Sequence, residues 1–474
     1  MMTMRTLRAG LVFDFKRYVR APSLLLVALA TPIAAHFMLP EQDASYAVVT
    51  LNDAKPILTS AVIGLELGVL AAILLTPLAY VFLRAGPTRR RPWQISDVTA
   101  HARPALSLGR WVADTLALWS LLAGLTIAGL ILSVFRIDGE INILQTIIAL
   151  WLPAAPSLAL VAAIRLFLDA RNFTRKWLGD VVFVVAWMGL ILVSLIAATP
   201  ISGETVTSQP FSDAFGSISP LVGSVDGPVQ GVSIGGSANT GENLSIEAWR
   251  AVTDSDYVVS RGMWLLFAVG LAFLAGLIWA PMKVTTATVD HAHSSRLTRF
   301  ASAILPEKRV AGLQATLTQN SYFQGLTWSH VRLVFRHWIR VVLLVAASIA
   351  GFVAPFRTVA GPAILLVLIF PFTEASARWQ NRSLQSYLET IGPSAVQRAV
   401  VSTLSNCLIA ILVTAPAAVR AILSGELQWL PHIAMICFAV PITITILSIF
   451  TRSAVAGRMI MLLAWYAYLS SASV

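Results

Sequence analysis

Few residues in this chain have the types and spacing that chemistry requires. No Gly-x-x-x-x-Gly-Lys-Ser/Thr segment occurs, so no loop of that kind cradles nucleotide phosphates, and no His-Glu-x-x-His occurs to hold zinc. Gly231-Val-Ser233-Ile-Gly235 carries the letters of a nucleophile elbow. That device needs a strand before the serine and a helix after it. This copy lies in a glycine-rich stretch, and 200–261 contains no histidine, so chance composition accounts for it. Asp290-His-Ala-His293 has ligand types but no further ligand nearby, and reads as a solvated loop. Asp213, Asp226, Asp254 and Asp256 form no constellation. The chain is expected to be non-catalytic, with no metal and no cofactor of its own.

The remaining candidates are polar residues inside apolar runs. Glu66 falls roughly 7 Å from the middle of such a run at about 1.5 Å per residue. A carboxylate at that depth must be neutral, paired or water-facing. It either lines a translocation path or packs helices together. Glu374 lies one turn before Arg378, and Asp114 one turn after Arg110, which predicts local i,i+4 pairs. Leu152-Pro-Ala-Ala-Pro156 predicts a bend in mid-helix, as does Pro441, and such bends serve either gating or packing.

The elements that position these residues follow from composition. Of 474 residues, 57% are hydrophobic and 12% charged, against about 25% charged in soluble domains. Mean hydropathy is +0.76. Apolar runs approach or reach the roughly 20 residues that cross hydrocarbon. The reading is an all-α, polytopic transmembrane bundle of about eleven spans, with twelve as the other count. Spans fall near 22–39, 59–83, 111–134, 143–165, 181–199, 262–281, 341–356, 361–376, 399–419, 433–451 and 458–473.

Lys and Arg then sort by loop. The N-terminus and every second loop hold 28 of the 34, and the alternate loops hold 6. Cytoplasmic loops carry the positive excess, so the N-terminus is expected inside. The formal charge of +11 is thereby explained as topology, which argues against nucleic acid as a partner. Cys407 and Cys437 lie in apolar runs and are expected to be buried free thiols.

The long basic segment 282–340 divides the chain into a first membrane half, 1–281, and a second, 341–474, with 282–340 as a cytoplasmic linker. The outer loop 200–261 is rich in Gly, Ser and Pro and is expected to be loose, with one helix near Ser245–Thr253. Both halves begin alike. Leu7, Leu11, Phe15 and Tyr18 form a helical stripe, with Arg8, Lys16, Arg17 and Arg20 on other faces. Val331, Phe335 and Trp338 do the same beside Arg332, Arg336 and Arg340. Each is an amphipathic basic helix leading into a span. Repeated halves are a common transporter design. Between spans eight and nine, Leu384, Tyr387, Leu388 and Ile391 share a helical face. Gly392-Pro393 ends that helix, and Ser394 caps the next.

This arrangement resembles the type-2 class of ATP-binding-cassette exporter permeases. In that class an interfacial helix precedes the first span. An acidic residue closes the second span, ahead of a Glu-x-x-x-Gly-Thr-x-Glu-x-Leu stretch and a Pro-Val-Ser-Arg-like turn. Glu374, Arg378, Leu388-Glu389, and Pro393 with Arg398 stand in similar order, with Arg382-Ser383 in place of Gly-Thr and a longer spacing. In the first half, Arg89-Arg90-Arg91-Pro92-Trp93 and Gly109-Arg110 match only the turn and the start of the third span.

The resemblance implies an exporter moving a lipid-like, peptide or drug-like substrate outward across the inner membrane. ATP and Mg would be held by separate nucleotide-binding ATPase subunits, with membrane lipids and a second copy of the chain as further partners. By the same resemblance Arg8, Phe15, Lys16 and Arg17, then Arg332, Phe335 and Arg336, then Leu388, Glu389 and Pro393, contact the ATPase; Glu66, from its depth in an apolar run, remains the candidate for a substrate path. The alternatives are an ion-coupled secondary transporter, which needs more intramembrane charge than Glu66 supplies, and a membrane-embedded enzyme or assembly factor.

Overall fold

The computed structural model describes residues 2–44, 46–86, 103–137, 140–175, 177–199, 205–238, 241–280, 325, 327–328, 330–332, 334–335, 338–379, 394–451 and 454–472. The first half contains α1 (Met2–Val19), α2 (Pro22–Met38), α3 (Ser60–Ile73), α4 (Leu75–Ala85), α5 (Arg103–Arg136), α6 (Ile143–Ala170), α7 (Trp177–Ala198) and α10 (Ser255–Leu277). Between α2 and α3 lie strands β1 (Tyr46–Leu51) and β2 (Lys55–Pro56). Between α7 and α10 lie α8 (Ile218–Gly223), β3 (Val232–Ala238), β4 (Asn243–Leu244) and α9 (Ala248–Thr253). The second half contains α11 (Trp338–Val353), α12 (Gly361–Trp379), α13 (Ala395–Leu423), α14 (Leu430–Thr451) and α15 (Ala454–Ala472).

Among the described residues, seven helices are long and apolar enough to cross a bilayer, or nine segments if two bent pairs each count once. Each expected span coincides with a helix. The span expected at 59–83 is broken at Leu74, where α3 and α4 meet at 49°. Apolar side chains such as Val185, Leu266 and Val353 are 66%, 70% and 71% exposed. Contiguous apolar surface of that kind belongs in lipid rather than water, and the chain is a multi-pass membrane protein.

Capping residues set several helix starts. Thr59, Asn142 and Asp254 accept from the backbone of α3, α6 and α10. Ser394 and Gln397 make the reciprocal capping box that starts α13, as its sequence predicts. Pro153 and Pro156 lie within the unbroken helix α6, and Pro153 packs against Gly68 of α3. Pro441 likewise lies inside unbroken α14.

The outer loop 200–261 departs from expectation. Its helix α9 is present, but its other described residues are far from loose. β3 pairs antiparallel with β1, Thr50 opposite Ser233, and β2 pairs parallel with β4. Ser233 of the Gly-x-Ser-x-Gly motif is therefore a strand residue in a sheet. Phe215, Ile218, Leu221 and Val222 are buried against the helices. Asp213 Oδ2 accepts from the backbone N–H of Ile218 and Ser219 at 2.8 and 2.9 Å. Arg261, 2% exposed in α10, donates to the carbonyls of Pro210 and Ala214 at 3.1 and 3.3 Å, and to that of Asp213. Composition hid this because the pairing partner, β1, lies some 180 positions earlier. Lys55 of β2 is 1% exposed and donates to the carbonyls of Glu41 and Gln42. Burial pushes its ammonium pKa down.

Two apolar cores result, one per half. α3 packs on α6 through Gly64 and Gly68. A Cβ on Gly68 would stand 2.6 Å from Pro153 Cγ and 2.7 Å from the Leu150 carbonyl. Gly68→Ala is expected to destabilise the chain by about 1–3 kcal/mol through overpacking. Gly270→Ala, with nothing within 4 Å, serves as the control. Thermal melting of both variants in detergent checks this.

Candidate functional site

Charged side chains gather at the end of the first half where α1 lies, which we call the basic end. Asp114 of α5 has a side chain 0% exposed, and Arg165 of α6 is 1% exposed, 2.9 Å away. The Tyr18 hydroxyl of α1 donates to the same carboxylate at 2.7 Å. Arg165 also reaches Asp169 at 3.2 Å. Asp169 meets Arg84 of α4 at 2.5 Å, and Arg84 meets Asp180 of α7 at 2.8 Å. Asp14 of α1 lies 3.3 Å from Arg17 and 3.4 Å from Arg110 of α5. One network thus joins α1, α4, α5, α6 and α7. A buried charge is tolerated only when its partners are buried with it, so these helices are fixed in register at this end.

The expectation for Asp114 was too small. Its carboxylate is wholly buried and belongs to a five-helix network. Glu374 also has distant partners. Arg340 of α11 and Arg458 of α15, the latter at 3.9 Å, converge on it. Arg458 Nε donates to Thr373 Oγ1 at 3.0 Å, and Trp465 of α15 donates to the Pro362 carbonyl at 2.8 Å. α15 is thereby tied along its length to α12. A second polar chain runs from His330 Nε2 to Asn406 Oδ1 at 3.1 Å, from Asn406 to Ser376 at 3.1 Å, and from Ser376 to Ser402 at 2.8 Å. It ties the segment before α11 to α12 and α13. Burial pushes the imidazole pKa of His330 down to about 4, so the ring is neutral.

The other face of α15 packs on α2 and α4 of the first half. Met459 joins the first core, while Leu78 of α4 packs against the second. Along this seam lies a cavity of about 570 Å³, counted to its open side. Ala34 of α2, Leu78 and Ala79 of α4, Leu122 of α5, and Met459 and Leu463 of α15 face it. Thr31 supplies the one hydroxyl in its lining, and that hydroxyl donates to the Ala28 carbonyl at 2.7 Å. The break at Leu74 borders the cavity. The Ile73 carbonyl beside the break accepts from Trp187 at 3.3 Å. Sequence reading missed this site because no single segment carries it.

The sequence-predicted partner residues fall as follows. Arg8 and Lys16 are exposed on α1, Phe15 is half-buried, and Arg17 is half-buried on Asp14. Arg332 is exposed over the Trp328 ring, and Phe335 is half-buried. Arg336, Leu388, Glu389 and Pro393 lie outside the described residues, as do Asp290 and His293. The Arg378 side chain also lies outside them. Glu66 is 3% exposed in α3 and makes no hydrogen bond or ion pair among the described residues. Lys55 and Arg136 are the cations that act on it electrostatically. It does not line the cavity. Cys407 and Cys437 are free and buried. Among the described residues, no group of three or more His, Cys, Asp or Glu could hold a metal. No family model matches the chain, nor does any curated protein or solved structure.

Asp114→Leu leaves Arg165 with Asp169 as its one remaining carboxylate among the described residues and is expected to cost about 3–5 kcal/mol. Adding Arg165→Met removes that charge and recovers part of the loss. Melting of the single and double variants gives the coupling directly.

Proposed function

We propose that the chain is the membrane-spanning permease subunit of an ATP-driven exporter, similar to the type-2 class, in the inner (plasma) membrane. The basic end faces the cytoplasm, as the loop charges suggest. The observation that carries this reading is the seam. Two halves, each braced by its own polar network, meet across an apolar cavity covered by a helix tied to the second half. Such a joint can adopt two packings without breaking either network, and alternating access needs that property.

The drive comes from outside the chain. No nucleotide loop occurs in the sequence, so ATP and Mg belong to a separate ATPase. That partner docks on the exposed basic residues Arg8 and Lys16 of α1 and on the Arg332 segment, with Leu388, Glu389 and Pro393 as the coupling loop. α1 suits the role. Its inner face is clamped through Asp14 and Tyr18, so a push on its outer face moves the ends of α4, α5 and α6 together.

The test reconstitutes the full chain with its ATPase in proteoliposomes. Charge reversal at Arg8→Glu with Lys16→Glu is expected to lower permease-stimulated ATP hydrolysis at least about tenfold, a loss of roughly 1.4 kcal/mol or more in coupling, with melting unchanged. Substrate movement by the chain alone on an ion gradient, abolished by Glu66→Gln, would transfer it to the secondary transporters.

A further inference from the structure

The seam cavity also carries information about its occupant. Its lining offers nothing to a polar ligand, since the Thr31 hydroxyl is already bonded. It lies at the middle of α2 and α5, where the surrounding medium is hydrocarbon. The cavity is open on one side, so only part of an occupant need lie within it. On the outer side of α2, Leu25, Leu29 and Ile33 are 65%, 64% and 61% exposed, so the helix flanking the cavity is bathed in lipid tails.

The basic end of the cavity is bounded by Phe82, which stacks on Tyr18 at 6.0 Å. That contact sets Phe82 level with the end of α1, where exposed Arg20 begins the turn into α2. A chain lying in the cavity would therefore bring its polar end to the depth of a guanidinium.

We propose that the seam cavity takes an acyl tail of an anionic membrane phospholipid, which enters sideways from the bilayer and leaves its headgroup at the level of Arg20. This rests on reading the seam as the transport path, and it makes the transported class lipidic. The cavity walls close on methylene groups, while Arg20 attracts the phosphate.

The test uses the full chain alone in nanodiscs, with no ATPase present. The probe is phosphatidylglycerol bearing a photoactivatable group on one acyl chain, and label is mapped by mass spectrometry. Label is expected on Leu78–Phe82 and Met459–Leu463. Ala79→Trp, which fills the cavity, lowers that label at least about fivefold, and the milder Leu122→Phe lowers it in the same direction. Ile33→Trp, on the exposed face, leaves it unchanged. Arg20→Gln lowers phosphatidylglycerol label and spares label from a free fatty acid with the same photoactivatable chain. Equal label in filled and unfilled variants, label confined to exposed faces, or label from the fatty acid alone would each overturn the proposal. Seam labelling without any ATPase coupling would instead count against the permease reading, so the two failures are distinguishable.

Discussion

A guanidinium buried beside a carboxylate inside a helical bundle leaves the surrounding chain little freedom. Arg165 and Asp114 are almost wholly removed from water, and separating them would leave two uncompensated charges in a low dielectric. Arg165 has Asp169 within its own helix, but the network needs partners from other helices. Asp114 needs Tyr18 of α1 and Arg165 of α6, and Asp169 needs Arg84 of α4. The register of the first half at its basic end is therefore fixed by charge. α1, which by pattern is a helix lying at a membrane surface, becomes part of the bundle. Tyr18 also stacks on Phe82, which lines the cavity, so one ring contact joins the ion network to the cavity wall.

The opposite end is fixed by other means. The sheet of β1 and β3, the cap on α8 from Asp213, and the carbonyls gathered by Arg261 close it. Gly216, at φ +62°, allows this gathering: a Cβ there would stand 2.8 Å from the Tyr257 hydroxyl and from Arg261 Cζ. With both ends held, the first half has few soft places. The break at Leu74 is one, and there the freed Ile73 carbonyl is covered by Trp187. The cavity lies against that break, where α4 turns away from the line of α3.

Sequence reading succeeded where the signal is local. Helix positions followed from apolar runs, and the start of α13 followed from Ser394 as its N-cap. The burial of both cysteines followed from their apolar surroundings. It fell short where partners are distant. Tyr18 and Asp114 are 96 positions apart, and Arg84 and Asp169 are 85 apart, so periodicity within a window of eighteen residues cannot see either pair. The i,i+4 expectation at Asp114 named the nearest opposite charge, and packing adds Arg165 from α6. The outer loop misled by composition. Glycine and serine raise loop propensity locally, yet a strand partner in another loop outweighs that preference. The cavity was illegible because its walls are ordinary leucines and alanines of five helices.

The allegiance of α15 decides how the halves can move. Arg458 and Trp465 bind it to α12, with charge and a half-buried indole at opposite ends of the contact. Against α2 and α4 it offers Met459 and Leu463, which hold by dispersion alone. Dispersion contacts slide and re-form, whereas an ion pair pulled apart in hydrocarbon does not re-form elsewhere. A force applied at the basic end would therefore shear α15 along the first half before it separated α15 from α12. Methionine suits a sliding contact, since its unbranched thioether repacks readily. Among the described residues the cavity is lined by apolar side chains, so a change of shape that spares the two charge networks can open or close it there.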